Sequence, residues 1–198
     1  MTQLVLATNN QHKIREIQSL LGSLPVELLT VRDLPAVPPL IEDGATFQEN
    51  ALKKARTVHE HTGLPALADD SGLEVFYLNL QPGVYSARYA GERASDEENN
   101  EKLLAAMRGV APRRRRARFR SVIAFVSNGF EEVTEGICLG RLGEAPRGTN
   151  GFGYDPLFVP DGFSKTYAEL TAEEKNTISH RSKSLAAMRE TLLTRLKR

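Results

Sequence analysis

Residues 66–75 read ALADDSGLEV, a short apolar strand with two adjacent carboxylates, Asp69 and Asp70, set in its middle. Ser71 and Gly72 follow, and the apolar pattern resumes at Leu73 and Val75. The flanking pattern implies partial burial, and an unpaired carboxylate in a dry site carries a large desolvation penalty. Whatever this chain folds into must therefore bring a cation, a base or a metal to this strand. If both acids stay ionised, a divalent ion is the simplest partner; otherwise one of them has a raised pKa.

The rest of the chain supplies the elements to surround such a strand. Gln3 to Thr8 reads as a strand closed by the turn-like Asn9-Asn10, and Ile14, Ile17 and Leu21 then recur at helical spacing. Val26 to Thr30 suits a second strand, and Asp33 to Pro39, with three prolines, a loop. Phe47, Ala51, Ala55 and Val58 put one apolar face on a helix over Thr46 to His61. Leu73 to Leu80 continues the acidic strand or forms its hairpin partner. Ser95 with Glu98, and Thr171 with Glu174, are capping boxes that open helices. Arg118 to Ser127 and Glu131 to Leu139 flank Asn128-Gly129, a hairpin signal. Gly140 to Pro156 reads as Gly-rich and irregular, and Ser182 to Leu196 as a terminal amphipathic helix. Early strands, a central hairpin and interleaved helices predict an α/β fold with a mixed sheet.

Composition excludes several classes. A length of 198 residues suits one domain, with two lobes at most. The net charge of +1 gives no global field that would single out nucleic acid or an anionic membrane. The only cysteine, Cys138, rules out an intrachain disulfide or a cysteine-rich zinc site, and its apolar context suits the core. The segment MTQLVLATNN lacks the basic and apolar regions of a signal peptide, and no apolar run approaches the roughly 20 residues that span a bilayer. The expectation is a cytoplasmic protein with no membrane partner.

Five further segments carry candidate chemistry. Thr8, Asn9, Asn10, Gln11, His12 and Lys13 lie where a strand gives way to a helix. Free N–H groups, the positive end of the helix dipole and the lysine could bind phosphate there, or Asn10 could simply cap the helix. Glu42, Asp70 and Glu49 are hard oxygen donors of the kind that suits Mg²⁺; the alternative is surface acids capping a helix. Phe152, Gly153, Tyr154 and Asp155 lie in a glycine-rich stretch where an aromatic face could meet a base, or where both rings could be tucked into the core. Lys175, His180 and Arg181 fall within seven residues and could read phosphate or base oxygens, or mark a charged helix end. Arg113 to Arg116, with Arg118 and Arg120, invite a nucleic-acid reading. The alternation with Phe119 and the balancing acids favour a solvated loop and strand edge, so no nucleic-acid partner is expected. None of His12, His59, His61 and His180 is tied by motif to Ser71, so no Ser-His-Asp triad is predicted.

Six blocks in order resemble the inosine/xanthosine triphosphate pyrophosphatases of the Ham1 type. They are Thr8-x-Asn10-x-x-Lys13, Glu49-Asn50-Ala51 with Lys54-Ala55, ALADDSGLEV, PGVYSARYAG (82–91), GFGYDPLF (151–158) and ISHR (178–181). The resemblance spans almost the whole chain, departing at Leu80-Gln81 and Asn150, where that family often has glycine; Asn150 could alter the mobility of its loop. It implies one domain over residues 1–198, an elongated mixed sheet flanked by helices forming two lobes around a central cleft, and a homodimer. It implies Mg²⁺-dependent hydrolysis of ITP, dITP and XTP to the monophosphate and pyrophosphate. Asp70, with Asp69 beside it, would be the catalytic acid pair, and Glu42 with Asp70 the metal carboxylates. Ser71 and Thr8 to Lys13 would contact substrate, and Phe152 to Asp155, Lys175, His180 and Arg181 would line the nucleotide pocket. Sequence alone leaves open which aspartate is the base.

Overall fold

The computed structural model describes residues 2–35 and 37–196. Ala36, inside the proline-rich loop, lies outside the described residues. The described residues form six strands and five α-helices. Strands β1 (Thr2–Leu6), β2 (Val26–Thr30), β3 (Ala66–Val75), β4 (Arg116–Ser127), β5 (Phe130–Leu142) and β6 (Phe158–Pro160) are hydrogen-bonded in the order β2-β1-β3-β4-β5-β6. The sheet is mixed, as the sequence predicts: β1 runs parallel to β2 in the register Thr2↔Val26 and to β3 at Val5↔Ala66, while β5 and β6 are antiparallel. Parallel neighbours need a long crossover, and α1 (Gln11–Leu21) supplies the one between β1 and β2. The remaining helices are α2 (Phe47–Thr62), α3 (Asp96–Ala106), α4 (Ala172–Ile178) and α5 (His180–Arg195).

The chain forms two compact units. The first comprises Met1–Asp70, Ser121–Gly136 and Arg181–Arg198, and the second Ser71–Arg120 and Ile137–His180. The division falls within β3, between Asp70 and Ser71, so the acidic pair belongs to the first unit. That unit is built on Leu4, Leu6 and Leu67 from the strands, Ile14, Ile17 and Leu21 from α1, and Leu185, Met188 and Leu192 from α5. The second is built on Leu73, Leu103, Met107, Phe119, Leu142, Leu157 and Phe158. Phe119 stacks parallel to Tyr167 at 5.6 Å between centroids and meets the edge of Phe158 at 4.8 Å, geometries that add to simple burial.

Local chemistry explains the element ends. Ser95, Thr46 and Thr171 each accept from the backbone N–H three residues on, and Glu98, Glu49 and Glu174 complete the capping boxes. Gly129, at φ 69°, allows the tight turn between β4 and β5. Leu73 to Val75 continue β3 rather than pairing with it, and a short 3₁₀ turn over Phe76–Leu78 ends the strand. Two expectations need correction. Gly140 to Pro156 is not wholly irregular, since β5 extends to Leu142 and pairs with β6, whose three residues carry no periodic signal of their own. The arginine segment is a solvated edge only in part: Arg113 and Arg114 are exposed, but Arg115 is buried and donates to the carbonyls of Leu142, Met107 and Gly143. Arg116 forms a two-pronged pair with Asp161, Arg118 bonds Glu74, and Arg114 lies over the Tyr77 ring at 4.6 Å. Long aliphatic stems let Arg114, Arg115, Arg116 and Arg118 reach partners within the protein.

Candidate active site

Asp69 and Asp70 are neighbours on a strand, so their side chains leave on opposite faces and meet different surroundings. Asp69 has no exposed surface. Its Oδ2 accepts from Arg181 Nη2 at 3.0 Å and pairs with Lys13 Nζ at 2.9 Å, and its Oδ1 accepts from Ser121 Oγ at 2.6 Å. Burial pushes the carboxyl up, but the Arg181 guanidinium, then the Lys13 ammonium and the Ser121 hydroxyl, outweigh it and hold Asp69 well below the usual carboxylate range. Arg181, fully buried at the start of α5, also bonds the Glu16 carboxylate on α1, and its pKa is raised: burial alone would lower it, but Asp69 and then Glu16 outweigh that.

Asp70 faces α2. Lys54, 2% exposed, donates to Glu42 Oε1, to the Asp69 main-chain oxygen at 2.8 Å and to Asp70 Oδ1 at 3.3 Å, and an ammonium has three protons to give. Burial works to discharge Lys54, but Asp70, Glu42 and Asp69 raise its pKa, so it stays charged. Asn50, with no exposed surface, donates from Nδ2 to Asp70 Oδ2 at 3.1 Å and accepts the Gly44 N–H on Oδ1 at 2.8 Å. Burial raises the Asp70 pKa; Lys54 and Lys13 pull it down without cancelling that effect, and Glu42 pushes it further up. Two adjacent acids are thus driven in opposite directions, the pattern that separates an orienting carboxylate from a proton-accepting one.

The other predicted residues fall as follows. Asn10 caps α1, its Oδ1 taking the N–H groups of His12 at 2.9 Å and Lys13 at 3.2 Å, and Thr8 Oγ1 accepts from Asn10 N. Asn9, Gln11 and His12 are exposed, while Lys13 turns inward to Asp69. Glu49 closes the α2 capping box by accepting from Ala45 N and Thr46 N, so it does not join the acids around Lys54. Ser71 is half-buried, directly after Asp70. In the second unit, Asp155 Oδ2 accepts from Phe152 N at 3.0 Å and from Lys175 Nζ at 2.6 Å, and Lys175 stands 5.3 Å from the Phe152 and Tyr167 ring centres. Tyr154 is core: its hydroxyl donates to the Ser86 carbonyl at 2.8 Å, and burial raises its pKa. His180, 3% exposed, stacks on Phe119 at 4.7 Å. Lys175 and Arg181, close in sequence, therefore serve carboxylates in different units.

Sequence reading assigned no role to Lys54 and Asn50, although a signal was present. Both lie on the buried face of α2, between Phe47, Ala51, Ala55 and Val58, and a lysine inside an apolar stripe needs a partner. Glu16 and Ser121 carry no such mark, since each meets its partner across a long sequence separation.

Two carboxylates that converge on one ammonium, one of them with a raised pKa, fit a hard divalent cation. Among the described residues no group of three His, Cys, Asp or Glu is arranged to hold a metal. A pair of carboxylates suits Mg²⁺, which completes its shell with waters and substrate phosphates. Fold and site together define a class: a mixed α/β protein with a pair of buried acids on a central strand, each held by fixed cations. Residues 4–191 match the Ham1 family, and the chain belongs to it. The dITP/XTP pyrophosphatase of Geobacter sulfurreducens is 52% identical over 193 residues, 97% of each chain. A HAM1 protein from Coxiella burnetii is 43% identical with a TM-score of 0.88, covering 98% of this chain and 100% of that one. The Staphylococcus aureus Ham1 protein is 38% identical with a TM-score of 0.87, over 98% and 100%.

Proposed function

We propose that this protein hydrolyses deaminated purine nucleoside triphosphates, ITP, dITP and XTP, to the monophosphate and pyrophosphate, with Mg²⁺ as cofactor. The observation that carries this reading is the opposed tuning of Asp69 and Asp70 beside Lys13 and Lys54. The dITP/XTP pyrophosphatase names of relatives at about half identity support the substrate class.

Glu42 and Asp70 would hold Mg²⁺, which when bound neutralises phosphate charge and polarises oxygen. Asp70, the less acidic of the pair in the metal-free site, would take the proton of a water in line with the α-phosphorus. Asp69, held ionised by Arg181 and Lys13, keeps Lys13 aimed and is too acidic to serve as the base. Lys13 and the capped start of α1 hold the departing pyrophosphate. Phe152 supplies a stacking face for the base, and Lys175, fixed by Asp155, a donor toward the C6 oxygen that inosine and xanthosine carry where adenosine has an amino group. Such a protein works as a cytoplasmic homodimer that clears these nucleotides from the pool before they enter DNA or RNA.

The test is pyrophosphate release from ITP, XTP, dGTP and ATP with and without Mg²⁺. Release that needs Mg²⁺ and is strong for ITP and XTP but weak for ATP supports the reading; no turnover of any of them rejects it. Light scattering on the same preparation tests the dimer.

A further inference from the structure

Phe152 sits in a loop whose backbone is held by side chains from two directions. Asp155 takes the Phe152 N–H at 3.0 Å. The next residue, Gly153, is gripped by α3: Asp96 Oδ2 accepts its N–H at 2.6 Å, and Asn100 Nδ2 donates to its carbonyl at 2.8 Å. Asp96 and Asn100 are four residues apart, hence on one helix face. Gly153 adopts φ 60°, a left-handed conformation that glycine takes at no steric cost, so side chains outside the loop secure a conformation that most residues would resist.

The Asn100 amide is not there for general packing. The residue is 8% exposed, and its Oδ1 is buried without a hydrogen-bond partner. Turning the amide round would set Oδ1 against the Gly153 carbonyl, acceptor on acceptor. A buried acceptor left unsatisfied costs stability, and this one is tolerated in the arrangement that holds Gly153.

We propose that Asn100, together with Asp96, is a positioning residue for purine recognition: the two fix the Gly153 peptide and through it the angle and height of the Phe152 ring. The role rests on the function proposed above and concerns the grip on the base, not the chemistry at phosphorus. The Asp70–Lys54 cluster has no part in it.

The experiment compares wild type, Asn100→Ala, Asp96→Ala and the double variant, measuring KM and kcat for ITP, inhibition by tripolyphosphate, which has no base, and exchange of the Gly153 amide. Asp96 is exposed, so its variant keeps the test open if Asn100→Ala fails to fold. The expected result is a KM for ITP raised about tenfold, the scale of one stacking contact. With it, kcat stays within about twofold, tripolyphosphate inhibition is unchanged, the Gly153 amide exchanges faster, and the double variant is no worse than either single one. An unchanged KM in both single variants, or a fall in kcat at constant KM, overturns the proposal. Wild type that releases no pyrophosphate from ITP rejects the proposed function and this role with it, whereas active wild type with unaltered variants rejects the positioning role alone.

Discussion

Arg181 Nη2 donates to Asp69 Oδ2 at 3.0 Å, and neither side chain reaches solvent. Breaking a buried pair from one side leaves an uncompensated charge, which typically costs about 3–5 kcal/mol. Asp69→Asn is therefore expected to lower stability by about 3 kcal/mol, Glu16 remaining as a partial counter-ion for Arg181. The sign with pH follows from the lowered Asp69 pKa. The ionised carboxylate stabilises the folded state above its unfolded pKa of about 3.9, and that contribution is lost as pH falls toward the folded value. Thermal melts between pH 6 and 2.5 should show wild type losing more stability on acidification than Asp69→Asn; parallel curves would mean that the pair does not stabilise the fold.

Asp70→Asn is expected to separate activity from stability in the opposite way. Removing the proposed proton acceptor should lower kcat for ITP about 10²–10⁴-fold. Lys54 loses one counter-ion but keeps Glu42, and burial no longer opposes an ionised Asp70, so the two effects offset and the melting temperature should change little. Near-normal turnover in this variant, with Mg²⁺ present, would assign the base elsewhere.

Lys54 holds Asp70 down against burial and the Glu42 charge. In Lys54→Met the Asp70 pKa rises further, so the acid limb of the kcat/KM profile should move to higher pH, with lower activity at neutral pH. A profile that only drops, without moving, would show that Lys54 acts on substrate charge and not on Asp70.

Gly44 has no room for a side chain. A Cβ there would lie 2.8 Å from Asn50 Oδ1 and 2.8 Å from Glu49 Cβ. Gly44→Ala should displace Asn50, loosen the segment that carries Glu42 and raise the Mg²⁺ concentration needed for half-maximal activity about tenfold, in line with the loss of a residue that orients the proposed metal ligands. A Mg²⁺ titration of pyrophosphate release reads this directly.

Leu80 stands at φ 67°, a left-handed conformation that disfavours side chains, and is 42% exposed, so little burial offsets the strain. This is one of the two places where the sequence departs from the glycine that the resemblance implies. Leu80→Gly should raise stability by about 1 kcal/mol, measured by urea unfolding. At the other, Asn150 donates from its backbone to the Ala168 carbonyl at 3.0 Å and from its side chain to the Leu170 carbonyl at 2.9 Å, which ties the loop down.

Much of the fold was legible because it is written locally. The capping boxes at Ser95 and Thr171, the apolar stripe of α2 and the Asn128-Gly129 turn each depend on residues within a few positions of one another. The strand Phe158–Pro160 was not, because three residues carry no period and their pairing with Gly140–Leu142 is long-range. The chemical types at the site were equally visible: ALADDSGLEV announces that two acids need partners, and the glycine-rich loop announces a close backbone approach. The partners themselves were not. Asp69 meets Arg181 across 112 positions and Ser121 across 52, and Lys54 reaches Asp70 from another element. Periodicity reports which face of an element is buried, not what is buried against it. The strand by itself required that Asp69 and Asp70 be compensated. Which one is held below the ordinary carboxylate value and which one is pushed above it depended on the strand's two faces, one meeting α1 and α5 and the other meeting α2, because a pKa follows from the charges and burial around a group and not from its neighbours in sequence.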